Sequence, residues 1–249
     1  MSVSISNQAP AAIGGGSRSF TENFDYGNGF LLDAGGPWVY LSNFPQLYGS
    51  AVFNPGNFQH IAQGINIIGN QLVVSTAGGA ATICQARMLM APALVLANSV
   101  LTSNQFSQLV IVADTSIGLT AVNRMGPCVL AAQSTPGFLS VGNGYYLEIR
   151  GELLELALYR GLGVGGTGTG TTLLATLPAS FVMGDTIRLT AEIQSTKNVV
   201  KVYVNGVELN STDDSNAARP LKGFPGMYFA YNGDNATSTT IDSWSGGKL

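Results

Sequence analysis

Two glutamates on neighbouring predicted strands, Glu148 and Glu155, are the carboxylates of this 249-residue chain best placed to do chemistry. The Gly151-Glu152 pair between the strands is typical of a two-residue β-hairpin turn. That turn places Glu148 directly opposite Glu155, and opposed residues of an antiparallel pair share a face. Two carboxylates so placed repel each other unless one is protonated or a cation lies between them. The pair is therefore a candidate either for catalysis or for an ion-pair network.

We expect the ion-pair network. Three basic side chains on adjacent predicted strands could neutralise the two carboxylates: Arg150, Arg188 and Lys201. In that case, replacing both glutamates by Gln would leave the fold intact or more stable, because repulsion is removed. The alternative is a glycoside hydrolase or polysaccharide lyase that uses Glu148 and Glu155.

Aromatic side chains supply candidates for a sugar-binding surface, which needs flat apolar platforms and a few fixed polar groups. Tyr146 and Tyr203 occupy the outward parity of their predicted strands, whereas Trp244 is expected to pack in the core. The predicted ligand-binding set is therefore Tyr146, Glu148, Glu155, Tyr203 and Arg188.

One acidic pair could hold a metal. Asp213 and Asp214 begin an oxygen-rich segment that could ligate Ca²⁺, although a solvated turn is the interpretation we favour. His60 is the only histidine, so a histidine-based lyase centre or a multi-histidine metal site has little to build on. We expect no cofactor other than a structural calcium ion.

Charge and hydropathy argue against two classes of partner. The chain has 11 Lys and Arg against 14 Asp and Glu, and no basic run, so nucleic acid is not an expected partner. The longest apolar run, residues 88–101, is interrupted by Pro92 and Asn98 and is too short to span a bilayer. The first ten residues lack the pattern of a signal peptide. Cys84 and Cys128 are therefore expected as free buried thiols, with a disulfide between neighbouring strands left open.

The remaining pattern is that of an all-β protein. Short segments with alternating apolar and polar residues recur along the chain, separated by turns to which its 32 glycines are suited. Asn205-Gly206, between two such segments, predicts a type I′ turn. Residues 1–18 are polar and rich in Gly and Ala, which predicts a flexible arm before a single domain at 19–249.

Five segments carry a family resemblance through their order and spacing. They are residues 144–150 (GYYLEIR), 184–189 (GDTIRL), 202–206 (VYVNG), 223–227 (GFPGM) and 241–244 (IDSW). Their succession resembles the concanavalin A-like lectin/glucanase (laminin-G-like) jelly-roll domains. The resemblance implies a two-sheet antiparallel jelly-roll sandwich. It also implies a choice of functions, because the family includes lectins, carbohydrate-binding modules, glucanases, lyases and modules of tailed-phage particles.

The resemblance orders the functional hypotheses. Glucanases of this family carry a Glu-x-Asp-x-x-Glu or similar run, which is absent here, so we expect the protein not to be an enzyme. The first hypothesis is a virion structural module of a tailed phage, a capsid decoration or tail-associated protein that also binds surface glycans. The alternative is a stand-alone lectin-like module. Unpaired outer strands with few charges favour a homo-oligomer or docking on other virion proteins, in a particle assembled in the host cytoplasm.

Overall fold

The computed structural model describes residues 19–25, 29–30, 38–47, 65–69, 71–74, 84–92, 103–114, 124–131, 142–150, 153–162, 171–232 and 239–249. The predicted arm, residues 1–18, and His60 lie outside these ranges. The boundary between arm and domain at residue 19 stays a prediction.

The described chain forms sixteen β-strands and no α-helix, as the alternating pattern predicts. The first eight are β1 (Ser19–Glu22), β2 (Gly29–Phe30), β3 (Trp38–Leu47), β4 (Ile65–Ile68), β5 (Gln71–Val74), β6 (Cys84–Pro92), β7 (Gln105–Asp114) and β8 (Arg124–Ala131). The second eight are β9 (Gly142–Arg150), β10 (Glu155–Leu162), β11 (Thr172–Pro178), β12 (Thr186–Ile193), β13 (Asn198–Val204), β14 (Val207–Asp214), β15 (Phe224–Asn232) and β16 (Thr239–Lys248). In the part of the chain that is described, no helix is long and apolar enough to cross a membrane.

The strands form two antiparallel sheets, so the predicted jelly-roll sandwich is confirmed. The nine-stranded sheet has the order β14-β13-β12-β7-β16-β5-β4-β2, with β1 also paired to β16. The seven-stranded sheet has the order β11-β10-β9-β8-β15-β6-β3. Strands distant in sequence are neighbours in both sheets, as in β7 with β16 and β8 with β15.

The hairpin of β9 and β10 has a different register from the predicted one. Glu155 lies opposite Arg150, and Glu148 lies opposite Ala157. The connection between the strands includes Leu153 and Leu154, and Leu154 has a positive φ of 51°. The longer connection moves the pairing by two residues, which changes the partners and keeps every side chain on its predicted face. The two glutamates are therefore on one face but are not directly opposed.

The core lies between the sheets and is crossed by polar contacts. Trp244 of β16 is buried, as predicted, and its indole Nε1 donates to Ser107 Oγ of β7 at 2.9 Å. Ser107 Oγ donates in turn to the Gly226 carbonyl of β15 at 2.6 Å, so the two sheets are joined. A buried polar group is tolerated where its hydrogen bonds are made, as they are here.

Two smaller predictions can be compared with the structure. Asn205 and Gly206 both have positive φ, 51° and 79°, as a type I′ turn requires. Cys128 is a free, fully buried thiol. The side chain of Cys84 lies outside the described part of the structure.

Candidate functional site

Charged and aromatic side chains gather on the face of the seven-stranded sheet that points away from the core. Tyr146 and Glu148 come from β9, Glu155 and Tyr159 from β10, and Tyr228 from β15. Their common face follows from the register, since Tyr146 lies opposite Tyr159 and Arg150 lies opposite Glu155. We call this group, together with Arg150, the β9 cluster.

Three tyrosine rings of the β9 cluster form a stack. The ring centroids of Tyr146 and Tyr228 are 4.2 Å apart, with 20° between the planes. Tyr159 stacks against Tyr146 with the centroids 5.1 Å apart. Stacked aromatic pairs of this kind stabilise a fold by more than the burial of their surface area alone. The stack therefore fixes the centre of this face.

Gly126 of β8 makes the stack sterically feasible. The β8 strand lies between β15 and β9, and Gly126 is directly opposite Tyr228. A Cβ atom at Gly126 would lie 1.7 Å from the carbonyl oxygen of Leu147 on β9. Because Gly126 has no side chain, β8 approaches β9 closely and the Tyr228 side chain reaches across β8 to β9.

Glu148 is the buried carboxylate of the cluster. Only 2% of its surface is exposed, and Tyr228 Oη donates to its Oε1 at 2.6 Å. Arg150 Nε donates to the other oxygen at 3.0 Å. The carboxylate is thus fixed by two charge-assisted hydrogen bonds from different strands.

Arg150 connects the remaining members. Its Nη1 donates to Glu155 Oε1 at 2.6 Å, and its Nη2 donates to the Tyr159 hydroxyl. Burial is the largest single influence on the guanidinium and lowers its pKa, but the hydrogen bond to Glu155 and the charge of Glu148 outweigh it, so the Arg150 pKa lies above its usual value. The predicted ion-pair network therefore exists with Arg150 as its cation.

The cluster is closed at its centre and opens at its β10 side. Tyr146 and Tyr228 are fully buried, so the expectation that Tyr146 is an open-face aromatic is wrong. Glu155, Arg150 and Tyr159 are only partly buried. We call these three residues the β10 rim; a ligand can contact the rim, whereas the residues behind it serve to hold it in place.

Two members of the predicted ligand-binding set lie elsewhere. Arg188 of β12 and Tyr203 of β13 face each other on the nine-stranded sheet, on its outer side. Arg188 and Lys201 therefore cannot neutralise Glu148 or Glu155, because the whole sandwich separates them. The alternation of the sequence placed each of these residues on an outward face. It could not show that the β9–β10 and β12–β13 hairpins belong to different sheets.

The structure does not bring Asp213 and Asp214 together. As consecutive residues of β14 they lie on opposite faces. Asp214 is buried, and its oxygens accept from Arg160 Nη1 at 2.6 Å and from Tyr145 Oη at 2.7 Å. Asp213 is exposed and pairs with Lys197 at 2.5 Å. Within the described residues no group of three or more His, Cys, Asp or Glu could hold a metal, so calcium binding at this pair stays a prediction.

Tyr228 and Gly126 were not among the predicted site residues. Tyr228 lies in a predicted strand, residues 226–231, whereas the strand predicted at 127–133 begins one residue after Gly126. A glycine inside a strand is a signal of close backbone approach, but only the structure places Gly126 inside β8. The pairing of β8 with β15, almost a hundred residues later, was needed to connect it with Tyr228.

Comparisons with known proteins identify the fold. No family model matches the chain, and no curated protein matches it. Among solved structures it is similar to an endo-1,3-β-glucanase from Streptomyces sioyaensis, with a TM-score of 0.55 and 12% identity over 97% of this chain and 100% of the other. It is also similar to the laminarinase from Rhodothermus marinus, with a TM-score of 0.53 and 10% identity over 93% and 98% of the two chains. A legume lectin-like domain from Entamoeba histolytica is similar at a TM-score of 0.44, with 12% identity over 83% and 90%.

The chain has the concanavalin A-like jelly-roll fold, which lectins, carbohydrate-binding modules and glucanases share. The expectation that the protein is not an enzyme is contradicted by this comparison, because the two structures described above with TM-scores of 0.55 and 0.53 are glucanases. At 10–12% identity the likeness establishes the fold alone.

Proposed function

We propose that the protein binds a neutral glycan at the β10 rim. The observation that carries the proposal is the fixed Arg150, which three partners hold at the opening of the β9 cluster. A sugar hydroxyl both donates and accepts hydrogen bonds. Arg150 supplies donors and Glu155 supplies acceptors side by side, and Tyr159 is the member of the tyrosine stack that a sugar ring can reach.

The charge of the cluster favours a neutral ligand. Among the described members, Glu148 and Glu155 carry two negative charges and Arg150 carries one positive charge. The carboxylate of an acidic sugar at the rim would lie beside Glu155 and near Glu148, and like charges at an interface are unfavourable. Neutral glucose-based oligosaccharides are therefore the first ligands to test.

The test is a calorimetric titration with glucose oligosaccharides of several linkages. Tyr159→Ala should weaken binding by about 1–3 kcal/mol, as expected when a contacting aromatic side chain is removed. Tyr203→Ala is the matched control, since this tyrosine is on the other sheet and its loss should leave neutral-glycan binding unchanged. Equal losses in both variants, or no binding to any linkage, would count against the proposal.

The same titrations, assayed for newly formed reducing ends, test hydrolysis by Glu148 and Glu155. Both carboxylates are ion-paired to Arg150, so that pair would have to open before either could act on a glycosidic bond. Cleavage that Glu148→Gln abolishes would extend the function from binding to hydrolysis.

We also propose that the protein is a structural module of the virion of a tailed phage. The resemblance to phage-particle modules supports it, as do the edge strands β11 and β14, each paired on one side only among the described strands. Such edges favour a homo-oligomer or docking on other particle proteins. A protein inventory of purified particles tests the setting, and light scattering tests the oligomer. Deleting residues 1–18 should spare the fold and weaken loading onto the particle.

A further inference from the structure

Arg188, on the outer side of the nine-stranded sheet, is a cation with no oxygen acceptor among the described residues. Four arginine side chains are described in the structure. Arg150 and Arg160 pair with carboxylates, and Arg219 donates to backbone carbonyls. Arg188 instead lies over the ring of Phe106, with the guanidinium carbon 4.4 Å from the ring centroid. Its Nε is buried without a hydrogen-bond partner.

The contact with Phe106 orients this guanidinium. The guanidinium carbon is 4.4 Å from the ring centroid, within the range of a cation–π interaction, so the ring restricts the movement of this side chain. A guanidinium held in this way matches the two oxygens of a carboxylate. Arg188 is therefore preorganised for an anionic group that the described residues do not supply.

A second unmet donor lies beside Arg188. Thr190 is two residues further along β12, so its side chain is on the same face, and it lies directly opposite Phe106. Its hydroxyl oxygen is buried and has no hydrogen-bond partner. Two neighbouring side chains around one phenyl ring thus both present hydrogen-bond donors without acceptors.

The acidic side chains nearest to Arg188 on this face are engaged or distant. Glu208 accepts from Lys201 at 3.5 Å and from the Tyr203 hydroxyl at 3.4 Å. Glu192 is four residues along the strand from Arg188, about 13 Å at the rise of a β-strand. The described part of this face therefore supplies no free carboxylate for Arg188, which leaves its guanidinium available to an external anion.

Tyr203 supplies the other half of a binding surface. It lies directly opposite Arg188 in the β12–β13 pair, so the two side chains are neighbours. Its ring is partly exposed. If the carboxylate of a cyclic ligand pairs with Arg188, the ring of that ligand would lie over Tyr203.

We propose that the outer face of the nine-stranded sheet is a second binding site, for an acidic saccharide whose uronic acid carboxylate pairs with Arg188 while its pyranose ring packs on Tyr203. This site differs from the β10 rim in position and in ligand charge. At the rim a sugar would lie beside the carboxylate of Glu155, so neutral sugars are expected there, whereas Arg188 requires an anion.

The experiment compares a trisaccharide of glucuronic acid with a trisaccharide of glucose, by calorimetry and by amide shifts in the NMR spectrum of the full chain. The uronate should bind and shift the amides of Phe106, Thr190 and Tyr203, whereas the glucose trisaccharide should leave these amides unshifted. Arg188→Gln should lower uronate affinity by about tenfold or more, since a charge-assisted pair is lost. The uronate affinity of Arg188→Lys should lie between those of the unchanged protein and of Arg188→Gln, because lysine keeps the positive charge but lacks the planar guanidinium.

Lys201→Gln is the matched control, because it removes the same charge from the same face at a residue already paired with Glu208. It should change uronate affinity less than about twofold. Equal losses in Arg188→Gln and Lys201→Gln would reduce the effect to general charge attraction and overturn the proposal. Absence of uronate binding, or equally tight binding of an acidic peptide, would overturn it too. Thermal unfolding of each variant shows that a loss of affinity is not a loss of fold.

Discussion

At the scale of single residues, Arg150 determines how Glu148 and Glu155 behave. One guanidinium serves both carboxylates, so the two are held by attraction to a common cation. The expectation that Gln at both positions would preserve or raise stability assumed that the pair repels across the hairpin. The observed register removes that assumption, because Arg150 lies opposite Glu155.

We predict that Glu148→Gln lowers the free energy of unfolding by about 1–3 kcal/mol, because a buried carboxylate that accepts from Tyr228 and Arg150 loses its charge. Glu155→Gln should cost less than about 1 kcal/mol, since that carboxylate is nearer the solvent. Urea denaturation of the two variants measures both values. A larger loss at Glu155 than at Glu148 would contradict this account.

Two buried residues, Tyr145 and Cys128, make the stability of the fold depend on pH in the alkaline range. Burial, with a hydrogen bond to Asp214 as a further cause, raises the pKa of Tyr145. Burial also raises the pKa of the Cys128 thiol. In the unfolded chain these groups ionise near pH 10 and about pH 8.5. The folded chain then holds more protons than the unfolded chain, so stability is full below these values and falls as the pH rises through and above them.

We therefore predict a loss of about 1.4 kcal/mol per pH unit for each group that is ionised only in the unfolded state. Denaturation at pH 8 and pH 11 measures the slope. Cys128→Ala and Tyr145→Phe should each make the slope shallower. Tyr145→Phe should also lower stability at neutral pH by about 1 kcal/mol, through the lost hydrogen bond. An unchanged slope in both variants would refute the assignment.

At the scale of elements, the approach of β8 to β9 depends on Gly126. We predict that Gly126→Ala unfolds the protein or abolishes its soluble expression, because the added Cβ would overlap the Leu147 carbonyl. Gly206→Ala is the control: it has open space around it but a φ of +79°, so it should cost only about 1 kcal/mol of conformational strain. Thermal unfolding of the two variants separates the steric effect from the conformational one. Similar losses would show that the close approach is not a constraint.

The sequence predicts a strand's faces better than its partners. Alternation assigned Tyr146, Glu148 and Glu155 to one face of the β9–β10 hairpin correctly, because that property is local. Register depended on the length of the connection, and Leu154 in a left-handed conformation lengthened it. Burial of Tyr146 depended on Tyr228, which reaches it across a strand paired through long-range contacts. Such contacts have no local signal.

At the scale of the whole molecule, Asp214 joins the two layers. It lies on the nine-stranded sheet and accepts hydrogen bonds from Tyr145 and Arg160 of the seven-stranded sheet. The succession of motifs predicted a sandwich. It could not predict that Asp214, considered as a metal ligand, would instead accept hydrogen bonds from the opposite sheet. The sequence likewise could not assign Arg188 and Glu148 to different sheets.

We predict that Asp214→Ala lowers the free energy of unfolding by about 3–5 kcal/mol, because it leaves Arg160 without its carboxylate in a largely buried place. Asp213→Ala should cost less than about 1 kcal/mol, since its pair with Lys197 is exposed. Denaturation with and without added calcium is the measurement. A calcium-dependent stability that both variants abolish would instead support a metal at this pair.

The pairing of β16 with both β1 and β7 sets a condition on biosynthesis. About 125 residues separate the end of β7 from the start of β16, which corresponds to about 6–25 s of translation. During that interval the edge of β7 that pairs with β16 has no partner strand, and the nine-stranded sheet is incomplete. A nascent chain that ends before β16 therefore has an incomplete sandwich with an open, aggregation-prone edge. The yield of folded protein in a cell is therefore expected to depend on how that edge is shielded until β16 has been synthesised.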